Sequence, residues 1–181
     1  SCVRKGSLGV ALPIISAAGA EAAVLATAVL SAHTAFSHVY KRDLSEDMEK
    51  IFSAWQAEGL TFDSVYTGYL ACEAQSDLVL DLFAWQKRQG NPFIVVDPVM
   101  GDEGELYSTM TMAMAREMRR LCAMAGVITP NLTEAHLLLG EDYKSAPRSP
   151  AQVRDMLSAL LDLGPENALI TSMPVENGLA N

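Results

Sequence analysis

Ile94-Val95-Val96-Asp97-Pro98-Val99-Met100-Gly101-Asp102-Glu103-Gly104-Glu105-Leu106-Tyr107 decides how this chain is read. The stretch opens on a β-branched, apolar run, the pattern of a buried strand. The run stops at an acid and a proline. Gly101 and Gly104 then let the backbone turn tightly. Open α/β sheets bind their ligands just past the C-terminal ends of strands. Asp97 and Asp102 stand at such an end, as candidate oxygen ligands for a metal ion that helps place a polyphosphate. The same residues also suit a plain polar loop that caps the next helix.

Working outward, Asp63–Tyr66 reads as a strand followed by the turn Thr67-Gly68-Tyr69-Leu70. Downstream, Gly126–Thr129 reads as a strand that runs into Pro130, with Asn131 or Thr133 placed to cap a helix carrying Glu134 to Leu139. Asn167–Thr171 reads as the last strand, and Ala22–Ala28 as a further buried one. Between them fall helices at Leu8–Ala18, from Ser45 as N-cap, at Glu73–Gln89, at Thr109–Ala125 and at Pro150–Leu163. The first is apolar on most faces, as a largely buried helix would be. Met48, Ile51, Phe52, Trp55 and, more weakly, Leu60 form one core stripe, and Met110, Met114, Met118, Leu121 and Met124 another. Leu30–Tyr40, which contains His33, Thr34 and His38, is a connecting segment that lines a pocket or simply lies on the surface.

The alternation of strands and helices predicts one α/β domain, a mostly parallel sheet with helices on both faces. In such a sheet the loops Thr67–Tyr69, Asp97–Tyr107, Thr129–Glu134 and Thr171–Ser172 leave on the same edge. That coincidence of polar loops is the strongest argument for a site.

Composition narrows the partners. The chain has 181 residues, half of them hydrophobic and 19% charged, as in an ordinary soluble domain. A net charge of −9 argues against a nucleic-acid or anionic-membrane surface. It leaves room for an anionic ligand held by backbone N–H groups and a metal. Cys2, Cys72 and Cys122 are odd in number and far apart, which fits a reducing, cytoplasmic setting better than disulfides or zinc. Pro13, Ser16, Gly19, Glu21 and Thr27 interrupt the apolar stretch Gly9–Leu30, so neither a membrane span nor a signal peptide is expected.

At this point the motifs resemble a known family. Asp97-Pro98-Val99-Met100-Gly101-Asp102 with Gly104 and Leu106-Tyr107, and Ile128-Thr129-Pro130-Asn131-Leu132-Thr133-Glu134-Ala135, are similar to two signatures of the pyridoxal kinases of the ribokinase-like superfamily. Leu30-Ser31-Ala32-His33-Thr34 and Thr67-Gly68-Tyr69-Leu70 resemble that family's substrate-side loops. The resemblance implies a three-layer ribokinase-like sandwich, a homodimer, and ATP- and Mg²⁺-dependent phosphorylation of the 5′-hydroxyl of pyridoxal, pyridoxine or pyridoxamine. It further implies that Ser1, Leu8, Thr34 and Tyr69 meet the vitamer. Asp97, Asp102 and Glu134 would serve the metal, and Asp97, Tyr107, Thr129, Asn131, Glu134 and Thr171 the nucleotide. Phosphoryl transfer needs positioning and charge neutralisation more than covalent chemistry, so a few placed acids suffice.

Departures from the family pattern set the alternatives. The resemblance puts the catalytic base in a Gly-Thr-Gly-Asp turn, which does not occur in Ser1–Asn181, so no catalytic residue is assigned here. The expectation is an incomplete kinase domain, without its first strand and C-terminal part. Ala35 replaces a usual glycine, and Arg4–Ser7 departs from the usual glycine-and-cysteine pattern. Hydroxymethylpyrimidine phosphate kinases share the Asp-Pro-Val-Met and Thr-Pro-Asn cores, but they usually lack the Gly-Asp…Gly…Leu-Tyr run and the His-Thr loop. They are the runner-up. A non-catalytic vitamer- or nucleotide-binding protein, or a poorly folding piece with open sheet edges, completes the field.

Overall fold

The computed structural model describes residues 2, 7–32, 36, 38–143, 147, 149–175 and 178–180. Ser1 and Thr34, two of the expected vitamer contacts, lie outside them, as do His33 and Ala35. In chain order the elements are α1 (Leu8–Ala17), β1 (Ala28–Leu30), β2 (Lys41–Asp43), α2 (Ser45–Ala57), β3 (Ser64–Thr67), α3 (Ala74–Gln89), β4 (Phe93–Val96), β5 (Gly101–Asp102), β6 (Glu105–Leu106), α4 (Met112–Cys122), β7 (Val127–Ile128), α5 (Leu132–Leu139), α6 (Pro150–Leu161), β8 (Met173–Val175) and β9 (Gly178–Ala180).

The central sheet runs β3-β4-β7, all parallel. Ser64 pairs with Phe93 and Thr67 with Val96, so β3 and β4 end level. Val96 pairs in turn with Ile128 at the end of β7. The expected last strand is present as two parallel bridges, Ile128 with Ala168 and Asn131 with Thr171, rather than as a full ladder. The Thr171 N–H donates to Pro130 O at 2.8 Å, which carries the same edge one strand further. The remaining pairings, β1–β2, β5–β6 and β8–β9, are antiparallel hairpins.

Packing follows from the apolar stripes. Ile94, Val96 and Ile128 of the sheet join Met114, Met118 and Leu121 of α4, Leu138 of α5 and Leu160 of α6 in one buried cluster. Phe52, Leu82 and Trp85 form a second cluster between α2 and α3, with the Phe52 and Trp85 rings edge to face at 5.6 Å. Several helix ends are set locally. Ser149 caps α6 with Pro150 at its first turn, and Gly140 closes α5 at φ 73°.

Four expectations are corrected. Ala22–Ala28 is not a strand: only Ala28 enters β1, and no residue of the stretch is buried. Its alanines carry little apolar area to bury, and among the described residues no neighbouring strand pairs with the stretch before Ala28. The helix at Leu8–Ala17 forms, but none of its residues is buried. An open apolar cavity of about 550 Å³ lies where a packing partner would be, lined by Leu12 and Ile15 of α1, by Leu25, and by Val65, Val79 and Leu82. Ser45 is not the N-cap of α2 but its first residue; Leu44 stands at the N-cap with no side-chain cap bond, and Ser45 N–H donates to Asp43 Oδ1 at 2.7 Å. The α4 helix starts at Met112 with Thr111 as N-cap, which leaves Met110 buried ahead of it and turns Met124 out to 37% exposure.

Met118 is fully buried where α4 meets the sheet. Met118→Ala should lower the unfolding free energy of this chain by about 2–5 kcal/mol, read from urea denaturation, because the cavity cannot collapse completely.

Candidate functional site

The C-terminal ends of β3, β4 and β7 and the Thr171 bridge share one edge, as the parallel register dictates. Asp97 is the first residue past β4. Its N–H donates to Thr67 O at 2.8 Å, which ties the start of its loop to the end of β3. Its side chain is half-buried, and Oδ2 accepts a 2.8 Å hydrogen bond from the Tyr66 hydroxyl. Burial pushes the Asp97 carboxyl above its ordinary value, against the opposing effect of the Tyr66 bond.

The loop beyond Asp97 is clamped to the N-terminus of α5. Asn131 caps that helix: its Oδ1 accepts from Glu134 N at 2.9 Å while Glu134 Oε2 accepts from Asn131 N at 2.9 Å, a capping box. Glu134 does more than cap. Its Oε1 accepts from Met100 N at 3.0 Å. Asn131 Nδ2 donates to Gly101 O at 2.8 Å, and Gly104 N donates to Thr133 Oγ1 at 2.9 Å. The β5–β6 hairpin thus hangs from side chains of one helix start. Gly101 is required there, since a Cβ would stand 2.2 Å from Glu105 O.

The acids share one neighbourhood. The Tyr107 phenol is raised by burial and then by the charges of Glu134, Asp102 and Asp97. Burial pushes Glu134 up to about 7, although N–H groups of Asn131, Met100 and Gly101 pull the other way. Asp102 is exposed on the hairpin, Asn131 and Thr129 are half-buried at the end of β7, and Thr171 is half-buried beside them. The structure therefore brings Asp97, Asp102, Tyr107, Thr129, Asn131, Glu134 and Thr171 to one rim.

Tyr69 and Leu8 stand differently. The turn holding Tyr69 adjoins the acid loop, for a Cβ on Gly68 would lie 3.7 Å from Val99. Among the described residues the buried Tyr69 hydroxyl has no hydrogen-bond partner, and Lys41 Nζ lies 5.9 Å from its ring centroid. Leu8 lines the apolar cavity beside β3, whose lining includes none of the three acids. This apolar cavity is thus distinct from the acid rim; Tyr66 and Thr67 are where the two adjoin.

Hard carboxylate oxygens suit magnesium, but the donor set is smaller than expected. Among the described residues no three His, Cys, Asp or Glu side chains group to hold a metal ion by themselves. Each oxygen of Glu134 already accepts a backbone N–H, and the residue is only 4% exposed, which commits it to the loop. Asp97 and Asp102 remain, a pair that fits an ion held largely by phosphates and water. The sequence reading missed Tyr66 and Thr133. The local capping pattern around Asn131 placed Thr133 near the loop; nothing local pointed to the bond from Tyr66.

Glu134 carries a pH signature. Below pH 4.5 the carboxyl is protonated in both the folded and the unfolded chain. As pH rises toward 7 the unfolded chain ionises first, so stability falls across that window, by on the order of 3 kcal/mol in full at about 1.4 kcal/mol per tenfold. Glu134→Gln removes this slope and leaves one backbone N–H without its acceptor, a loss of about 1–3 kcal/mol. Because the wild-type fall is at least as large as that loss, the gap between wild type and variant in urea denaturation should close or reverse from pH 5 to pH 8; a constant gap would contradict the burial argument.

Comparison with known proteins agrees with this geometry. The family model for phosphomethylpyrimidine kinase matches residues 12–180. A pyridoxal kinase from Ovis aries is 31% identical over 162 residues, which is 85% of this chain and 50% of the relative. Among solved structures, a Bacteroides thetaiotaomicron protein described as a phosphomethylpyrimidine kinase and crystallised with pyridoxal superposes with a TM-score of 0.92 at 42% identity, covering 97% of this chain and 61% of that one. Pyridoxal kinase from Lactobacillus plantarum gives a TM-score of 0.87 at 32% identity, with 99% and 63% covered. The chain spans about half the length of the curated relatives it matches. With nearly all of its residues inside the family match and the fold shared, the chain belongs to the phosphomethylpyrimidine kinase family and is similar within it to pyridoxal kinases.

Proposed function

We propose that this protein is an ATP-dependent kinase that phosphorylates the 5′-hydroxyl of pyridoxal, pyridoxine or pyridoxamine. The observation that carries the reading is the β5–β6 hairpin, formed by the Gly-Asp…Gly…Leu-Tyr run and clamped to α5 beside Asp97. The pyrimidine kinases usually lack that run, so the hairpin favours a B6 vitamer over a hydroxymethylpyrimidine. The pyridoxal in the Bacteroides thetaiotaomicron structure points the same way.

In this reading Asp97 and Asp102 would hold magnesium, directly or through water, and Glu134 keeps their loop in place. Bound magnesium supplies the positive charge that offsets a triphosphate. Asn131 and Thr129 border the phosphates, and Tyr107 and Thr171 border the nucleotide. Leu8 and Tyr69 belong to the vitamer side, together with Ser1 and Thr34. The rim itself is acidic, so a bare triphosphate is repelled there and nucleotide binding depends on a divalent cation. The catalytic base is not assigned to any residue of Ser1–Asn181; these residues bind, orient and neutralise. A cytoplasmic homodimer is part of the same reading, and the net charge of −9 supports small-molecule rather than nucleic-acid partners.

Two measurements test it. With ATP and Mg²⁺, ADP release should depend on added pyridoxal, pyridoxine or pyridoxamine and not on hydroxymethylpyrimidine. Release with the pyrimidine alone would transfer the protein to the runner-up reaction; calorimetric binding of vitamer with no release would make it a binding protein. Separately, Asp102→Asn should leave the melting temperature nearly unchanged, because the side chain is exposed, and should weaken Mg²⁺–ATP binding by about 10–100-fold in calorimetry.

A further inference from the structure

The register of the sheet makes a particular pairing possible at the rim. Tyr66 lies opposite Val95, and Asp97 is two residues beyond Val95. Side chains two apart along an extended strand share a face, so Tyr66 and Asp97 are diagonal neighbours on one side of the sheet. A tyrosine side chain is long enough to span that diagonal. The phenol closes it, donating to Asp97 Oδ2 at 2.8 Å. Asp97 N is fixed at the same time by Thr67 O, so β3 holds both the backbone and the side chain of this acid.

We propose that Tyr66 is a positioning residue for the magnesium–nucleotide site: by occupying Oδ2 it sets the plane of the Asp97 carboxylate and leaves Oδ1 turned to the rim. This rests on the reading of Asp97 as a carboxylate that serves the metal and phosphates. In this role Tyr66 acts through Asp97. Its ring is 53% exposed and borders the apolar cavity, so little core packing depends on it. The hydroxyl, rather than the ring, is therefore the working part. A carboxylate with one oxygen already bonded loses less rotational freedom when it meets a cation, and outer-shell bonds of this kind typically change metal affinity by 10–100-fold.

The test is calorimetry on the full chain with ATP, measured with and without Mg²⁺, for wild type, Tyr66→Phe, Asp97→Asn and the double variant. The quantity read is the ratio of the two ATP affinities. Tyr66→Phe keeps the ring and should keep the melting temperature. It is expected to cut the Mg²⁺-dependent gain about tenfold while leaving Mg²⁺-free binding unchanged. Asp97→Asn should abolish most of that gain, and Tyr66→Phe should then add nothing further. A merely structural role would lower both affinities together and would refute the proposal. A wild-type ratio in Tyr66→Phe, or losses that add in the double variant, would refute it as well. If Asp97→Asn itself keeps the wild-type ratio, the metal reading of Asp97 fails and the role of Tyr66 falls with it.

Discussion

One buried carboxylate holds the functional edge together. Glu134 accepts Met100 N with one oxygen and Asn131 N with the other, so it joins the loop after β4 to the first turn of α5. Burying a charge in this way is unfavourable unless the group is fully hydrogen-bonded. The partners here are backbone N–H groups that would otherwise be orphans at a helix start and in a tight loop. The β5–β6 hairpin pairs only Gly101 with Leu106 and Asp102 with Glu105, too short to define its own position. Its place relative to Asp97 is therefore inherited from α5 through Glu134, Asn131 and Thr133.

That arrangement separates two kinds of acid on one rim. Glu134 is spent on geometry, whereas Asp97 and Asp102 keep oxygens available for a cation. The negative field they share reaches Tyr107, whose phenol is raised first by burial and then by all three acids. An acidic rim is a poor receptor for a bare triphosphate and a good one for its magnesium complex.

The local half of this design was legible in the sequence. A β-branched run ending in Asp-Pro-Val-Met-Gly-Asp, and an Asn-Leu-Thr-Glu box four residues long, carry their own geometry. That the central strands run parallel followed from alternation, and with it the prediction that four loops meet on one edge. The unread half was non-local. Tyr66 looks like an ordinary strand aromatic until the β3–β4 register places it diagonal to Asp97. The Ala22–Ala28 stretch has a strand's apolarity, but a strand exists only where another backbone accepts its hydrogen bonds. The sequence of α1 predicts burial because burial is what apolar faces usually find; here much of that face meets an open cavity.

The cavity and the rim meet at β3, and this shapes how firmly the site is built. Among the described residues β3 is paired on one side only, with β4. Its free side borders the apolar hollow that α1 and the 20–25 stretch overhang. Asp97 nevertheless depends on β3 twice, through Thr67 O and through the Tyr66 hydroxyl. A strand held along a single ladder is softer than one held along two, since each flank it loses removes hydrogen bonds and packed side chains. Glu134 and Asn131, by contrast, anchor the other end of the same loop to a helix packed against α4 and α6. The loop is therefore anchored to a packed helix at Met100–Gly101 and to a singly paired strand at Asp97. Whatever packs the free side of β3 therefore also bears on the Asp97 carboxylate, so the apolar hollow and the acidic rim are joined through one strand.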